Sequence, residues 1–178
     1  QFFSALADNA LLIAAISMLR DIQSPAQYEP LLKLFFTVSY VALAAFVGAF
    51  ADSMAKGRVM LISNTIKIAG CFMLLVATVP MLDMLGIPIY YYVLLSYGIV
   101  GLGAAAYSPA KYGILTEYLP HRLLVVANGW IEGLTVGAII LGVVLGGMLI
   151  KPDVSATLLG FDLPLIDTGI DTGPEAAI

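Results

Sequence analysis

The sequence predicts an all-α, polytopic membrane protein. Three observations carry that prediction. Hydrophobic residues make up 61% of the 178 residues and charged ones 11%, with a mean hydropathy of +0.99. A soluble domain is typically ~45–50% apolar and ~25% charged. Five apolar runs are each long enough for a helix to cross ~30 Å of hydrocarbon, which takes about 20 residues. Charged and helix-breaking residues collect between these runs.

Each run has its own stop. The first extends from Phe2 to Leu19 and ends at Arg20-Asp21 and Pro25. The second, Leu31 to Ala51, ends at Asp52 and the basic Lys56-Gly57-Arg58. The third, Val59 to Val79, is stopped by Pro80 and Asp83. The fourth reaches from Ile89 to about Tyr107 and is followed by Ser108-Pro109-Ala110-Lys111. The fifth, Leu124 to Ile150, is stopped by Lys151-Pro152-Asp153. The expected division is therefore 1–151 for five transmembrane helices and 152–178 for a separate C-terminal segment. Asp162, Asp167 and Asp171 among Leu, Gly and Pro predict an acidic extracytoplasmic loop there. Thr172-Gly173-Pro174-Glu175 predicts the start of a sixth helix, with Pro in the first turn and an acid beside it. The first helix begins at once and Gln1-Phe2-Phe3 has no basic flank, so a signal peptide is not expected. A piece of a longer chain is.

Several function classes find no support. The net charge is −4 and no basic cluster occurs, so no nucleic-acid surface is expected. Cys71 is the only cysteine, which rules out a disulfide within the chain. His121, beside Arg122, reads as a solvated loop histidine with no second histidine to share a metal. Asp167-Thr168-Gly169 and Asp171-Thr172-Gly173 match the triplet of aspartic proteases. They lie too close together, and no two lobes exist to bring them face to face. No catalytic residues, cofactor or metal are expected.

Sidedness rests on a small bias. The second-to-third and fourth-to-fifth loops would hold Lys56, Arg58, Lys111 and Arg122, against Arg20, Lys33 and Lys151 at the other end. The richer end is expected to face the cytoplasm. Tyr90-Tyr91-Tyr92 opens the fourth helix where an aromatic belt would lie.

Two patterns stand out within the runs. The fifth carries Gly129, Gly133 and Gly137 at four-residue spacing, then Gly142, Gly146 and Gly147. Such a row predicts close packing on a neighbouring helix. With Lys33 counted at the outer end, Asp8, Lys67 and Glu132 are the charged residues expected inside the spans. Counting from the predicted ends puts each ~12 Å from the cytoplasmic side. Each has an amide close by: Asn9, Asn64 and Asn128. Buried charges are costly and are normally paired or functional. Two readings stand, a structural pair formed by Lys67 with one acid, and a polar lining for a transport path.

The short loop Gly48-Ala49-Phe50-Ala51-Asp52, with Lys56-Gly57-Arg58 after it, resembles the signature cytoplasmic loop of the major facilitator superfamily. Ser53 stands where a cation is usual and Ala55 where a glycine is usual. Gly142-Val143-Val144-Leu145-Gly146-Gly147 resembles that superfamily's fifth-helix motif, with Val in place of Pro. Tyr97 stands where many proton-coupled members carry Arg, so ordinary proton coupling is not implied. Ala7-Asp8-Asn9-Ala10-Leu11-Leu12, Tyr107-Ser108-Pro109-Ala110-Lys111-Tyr112-Gly113 and Ala127-Asn128-Gly129 with Glu132 narrow the likeness. Together they resemble the bacterial lysophospholipid transporters of that superfamily, up to Lys151.

The resemblance implies a major facilitator N-terminal helical bundle, cut before its sixth helix, with helices one to three related to four to six by an inverted pseudo-twofold. It implies a multi-pass protein of the bacterial inner membrane that is not an enzyme. Its role would be that of a flippase moving lysophosphatidylethanolamine and lysophosphatidylglycerol toward the cytoplasmic leaflet for reacylation. The implied partners are the substrate, membrane lipids, the remaining helices and an acyltransferase/acyl-carrier-protein synthetase. The expected site has Asp8, Asn9, Asn64, Lys67, Asn128 and Glu132 holding the headgroup, acids toward an ammonium and Lys67 toward a phosphate. Gly48, Asp52, Lys56, Arg58 and Lys111 would form the cytoplasmic-loop motif. A carrier for another amphipathic molecule or drug, and a membrane anchor for a fused acyltransferase, are the alternatives.

Overall fold

The structure, a computed structural model, describes residues 2–77, 86–151 and 154. It contains five helices: α1 (Phe2–Asp21), α2 (Tyr28–Asp52), α3 (Lys56–Val76), α4 (Ile89–Tyr118) and α5 (His121–Leu149). No strand occurs among the described residues. By length and composition α1, α3, α4 and α5 each suffice to cross a bilayer. The fifth span, α2, consists of Tyr28–Leu43 and Phe46–Asp52, bent by 63°. The expected acidic loop, the start of a sixth helix and the paired Asp-Thr-Gly triplets lie outside the described residues.

Of the boundaries that differ from the sequence expectation, two bear on the site. Lys56-Gly57-Arg58 forms the first turn of α3, so the connecting loop is shorter than expected. More consequentially, α4 does not end near Tyr107 but continues through Pro109 to Tyr118. Proline lacks the N–H that would bond to the carbonyl a turn earlier, which in water usually ends a helix. In a bilayer, neighbouring helices hold the interrupted turn in place. Here Ala105, Ala106, Tyr107 and Ala110 around the proline are all buried. Lys111 is therefore a helical residue.

Close approach occurs where glycine removes the side chain. A Cβ on Gly103 of α4 would lie 2.7 Å from the Ser63 carbonyl and from Lys67 Cγ of α3. Farther along, Gly70 of α3 lies against Val100 and the Ser96 carbonyl, so the two helices are antiparallel. On its other side α4 runs parallel to α2. Phe36 covers Gly101, and Ser39 Oγ donates to the Gly98 carbonyl at 3.1 Å. Separately, α1 runs parallel to α5: Gly142 faces Leu6 and Asn9, and Gly146 faces Ala10 at 3.0 Å and Ile13. Exchanging helix one with four and two with five converts the α2–α4 contact into the α5–α1 contact. That is the relation expected of two three-helix repeats.

Among the described residues the glycine row of α5 packs at only one of its ends. A Cβ on Gly129, Gly133 or Gly137 would meet nothing within 4 Å among the described residues, so none of the described helices packs on them. Helical phase explains the difference. Four-residue steps drift by about 40°, but the five-residue step from Gly137 to Gly142 turns the row by about 140°. The first three glycines thus face away from α1. Gly48, expected to permit close approach, also meets nothing.

The core lies between α1, α2, α3 and α4, with Leu19, Leu32, Leu74, Val93, Leu94 and Val100 fully enclosed. Ser63 and Ser96, buried there, donate to the carbonyls of Val59 and Tyr92 one turn back, both at 2.7 Å. These bonds satisfy hydroxyls that hydrocarbon cannot. Large apolar side chains on the outside, such as Leu61, Ile68 and Phe72 of α3 and Val125 and Trp130 of α5, suit a lipid or helix neighbour. Tyr28, Tyr90 and Tyr91 cluster at one end with ring centroids 4.3–6.1 Å apart. Beside them Arg20 holds both Glu29 oxygens at 2.9 Å.

Gly142→Leu in the full-length protein should lower folding stability by about 1–3 kcal/mol, the usual cost of overpacking. Thermal unfolding in detergent checks this. A melting temperature equal to that of the unsubstituted protein would remove the assigned α1–α5 contact.

Candidate functional site

The helices divide into two packed groups, α1 with α5, and α2 with α3 and α4. Contacts between the groups are sparse. Two ion pairs cross that boundary. Lys67 on α3 meets Asp8 on α1 at 2.5 Å and also donates to Ser4 Oγ at 2.9 Å. Its ammonium lies 5.6 Å from the centroid of the Tyr107 ring. Lys67 is only 8% exposed. Lys111 on α4 meets Glu132 on α5 at 3.1 Å, and Tyr112 also donates its hydroxyl to Glu132. Lys111 lies 4.3 Å from the Tyr112 ring centroid.

Local sequence explains the first pair. Gly103 lets α3 come close enough to α4 to bury the Lys67 stem. The small residues Ala5 and Ala7 flank Asp8 without blocking it. Pairing is what an ammonium in hydrocarbon demands. Of the two acids considered for Lys67, the structure selects Asp8.

Two cavities open along this boundary. One of about 460 Å³ is lined by Asp8, Asn9 and Leu12 of α1, Lys33, Phe36, Thr37 and Tyr40 of α2, Tyr97 of α4, and Thr135 and Ile139 of α5. A smaller one of about 120 Å³ shares Ala5, Asp8 and Tyr40 with it and adds Lys67, Tyr107 and Lys111. Asp8 thus joins the two. A third, about 540 Å³, lies on the α1–α3 side and includes Asn64, Lys67 and Cys71.

Not all the expected site residues meet. Asp8, Asn9 and Lys67 do, and Asn9 also donates to the Ala5 carbonyl at 2.8 Å. Asn64 lies near Lys67 but lines the third cavity. Glu132 and Asn128 do not share the depth of Asp8. Gly142 sits level with Asn9, so Glu132 lies ~15 Å and Asn128 ~21 Å farther down the axis at ~1.5 Å per residue. The expectation failed because counting from the first apolar residue ignores how far α5 slides along α1. Asn128 is exposed there.

In the loop motif, Lys56 pairs with Asp52 and donates to the Ala51 carbonyl at 2.9 Å. Its stem passes 3.0 Å from where a Cβ on Gly113 would stand, so this loop and the end of α4 share one face. Arg58 is exposed. Lys111, expected in a loop, is instead a lining residue of the smaller cavity.

Lys33, Phe36, Thr37, Tyr40, Tyr107 and Ser4 were not foreseen as site residues. A signal existed for four of them. Lys33, Phe36, Thr37 and Tyr40 follow the i, i+3, i+4, i+7 spacing of one helix face.

A model of the major facilitator superfamily matches residues 1–160. The chain belongs to that superfamily. Within the superfamily it is similar to the lysophospholipid transporter LplT of Yersinia enterocolitica, with 46% identity over 149 residues, 84% of this chain and 34% of the relative. The proteins of that name from Yersinia pestis and Yersinia pseudotuberculosis are 45% identical over the same share of each chain. The chain thus spans about a third of the length of the curated relatives it matches. No solved structure matches it.

A superfamily member with a structural Asp8–Lys67 pair should show strong coupling. Asp8→Asn and Lys67→Met should each cost roughly 3–5 kcal/mol, because each leaves a buried charge alone. The double variant should cost less than the sum of the two. Thermal or denaturant unfolding of the four full-length proteins reads this, and strict additivity would contradict the pairing.

Proposed function

We propose that this chain forms one wall of a transporter that moves lysophospholipids across the bacterial inner membrane toward the cytoplasmic leaflet. The observation that carries this reading is the 45–46% identity to proteins named lysophospholipid transporter, over 84% of the chain. The site chemistry agrees with it. A lysophospholipid has a dipolar or anionic headgroup that must pass ~30 Å of hydrocarbon, and an acyl chain that is at home there. The Asp8–Lys67 pair offers the headgroup both signs of charge at the junction of two cavities. Leu12, Phe36 and Ile139 offer the chain an apolar wall.

In this reading the phosphate approaches Lys67 and an ammonium approaches Asp8. The protein is a carrier and not an enzyme; reacylation belongs to an acyltransferase/acyl-carrier-protein synthetase partner. The remaining helices supply the opposite wall, and the end bearing Lys56 and Arg58 faces the cytoplasm.

Full-length protein in vesicles should carry lysophosphatidylethanolamine between leaflets, and Asp8→Asn should reduce the rate at least about tenfold, as loss of a charge-assisted contact does. Full transport by a stably folded Asp8→Asn protein would overturn the binding role of Asp8. No transport by the unsubstituted protein would overturn the function. For sidedness, cysteines at Ser53 and Gln27 should react with an impermeant thiol reagent from opposite faces of the membrane. Reaction of both from one face would overturn the topology.

A further inference from the structure

We propose that Lys33 is a headgroup-selecting residue, making the Tyr28 end of the larger cavity a phosphate-capture subsite that favours net-anionic lysophospholipids over zwitterionic ones. The inference rests on the transport reading above and adds a specificity determinant to it.

Charge balance is the first argument. The charged residues lining the two joined cavities are Lys33, Asp8, Lys67 and Lys111. Asp8 offsets Lys67. Glu132 offsets Lys111. Lys33 has no acidic partner among the described residues, so its charge is the uncompensated one. A water-filled cleft with low-dielectric walls focuses such a charge on what enters it.

Position is the second argument. Lys33 and Thr37 are one turn apart on the cavity-lining stripe of α2, so an ammonium and a hydroxyl are both offered to a phosphate that enters the cavity. Tyr40, two turns along the same stripe, borders both cavities. It stands ~10 Å from the level of Lys33 at ~1.5 Å per residue. Gly103 packs on Lys67, and Lys111 follows it by ~12 Å along α4. Lys33, Lys67 and Lys111 therefore stand at three successive levels along the two neighbouring cavities. Among the described residues only the first has no acidic partner. A phosphoglycerol headgroup brings a net negative charge to that level. A phosphoethanolamine headgroup brings its own ammonium, which opposes Lys33.

The test compares binding by full-length protein of lysophosphatidylglycerol, lysophosphatidylethanolamine and free glycerol 3-phosphate. The unsubstituted protein should bind the phosphoglycerol lipid more tightly than the ethanolamine lipid, and salt should shrink the difference. Lys33→Gln should raise Kd for the phosphoglycerol lipid about fivefold, with less than about a twofold change for the ethanolamine lipid. Lys33→Arg should keep the preference. Equal loss for both lipids, or no loss for either, overturns the inference while leaving transport intact. Competition by free glycerol 3-phosphate as strong as by the lipid overturns the lipid assignment. Failure of the unsubstituted protein to bind either lipid removes the transport reading, and this inference with it. Melting temperatures of both variants close to that of the unsubstituted protein establish that folding does not account for the change.

Discussion

A lysine ammonium in hydrocarbon needs a counter-charge, and Lys67 finds it in Asp8. The consequence reaches beyond one contact. The backbones of α1 and α5 approach those of α2, α3 and α4 at few points, while Leu11, Leu12, Ala15, Met18 and Leu19 of α1 join the shared core. The ion pair therefore adds a charged link to the apolar cluster through which α1 packs on α2, α3 and α4. Lys111–Glu132 repeats the device nearer the other end. Small residues make both possible, Gly103 by admitting Lys67 and Gly142 by seating α5 on α1. A boundary held by charge and lined by cavities suits a superfamily whose members work by relative movement of helical units.

The same pair has a dual character in the proposed function. In the absence of a lipid, each charge satisfies the other. A dipolar headgroup can replace both partners at once, so its entry need not leave a buried charge alone. Binding then competes with the pairing, which links occupancy to the positions of the two units. Lys33, which has no acidic partner among the described residues, is a different element, since there no such pair has to be displaced.

Much of this was legible in the sequence, and the failures have physical causes. Asp8 and Lys67 were visible because a charge in an apolar run is expensive. Two readings stand for them, a structural pair and a polar lining; the geometry brings the two charges together and also sets them in cavity walls. Lys111 was placed in a loop because Pro109 ends helices in water, while packing carries α4 through it. Glu132 was given the wrong depth because sequence counting cannot see one helix slide along another. Gly129, Gly133 and Gly137 drew attention by regular spacing, yet the five-residue step to Gly142 decided which face packs. Lys33 was read as a flank because it lies near a helix end; its cavity-facing phase required neighbours that only the fold supplies.

The central claim is that the Asp8–Lys67 interaction joins the two helical units. Exchanging the charges tests it most directly, with Asp8→Lys and Lys67→Asp made singly and together in the full-length protein. Each single exchange sets like charges side by side and should sharply lower the monodisperse, folded yield. The double exchange restores opposite charges and should recover a large part of that yield. A double variant that folds no better than either single one would contradict the account.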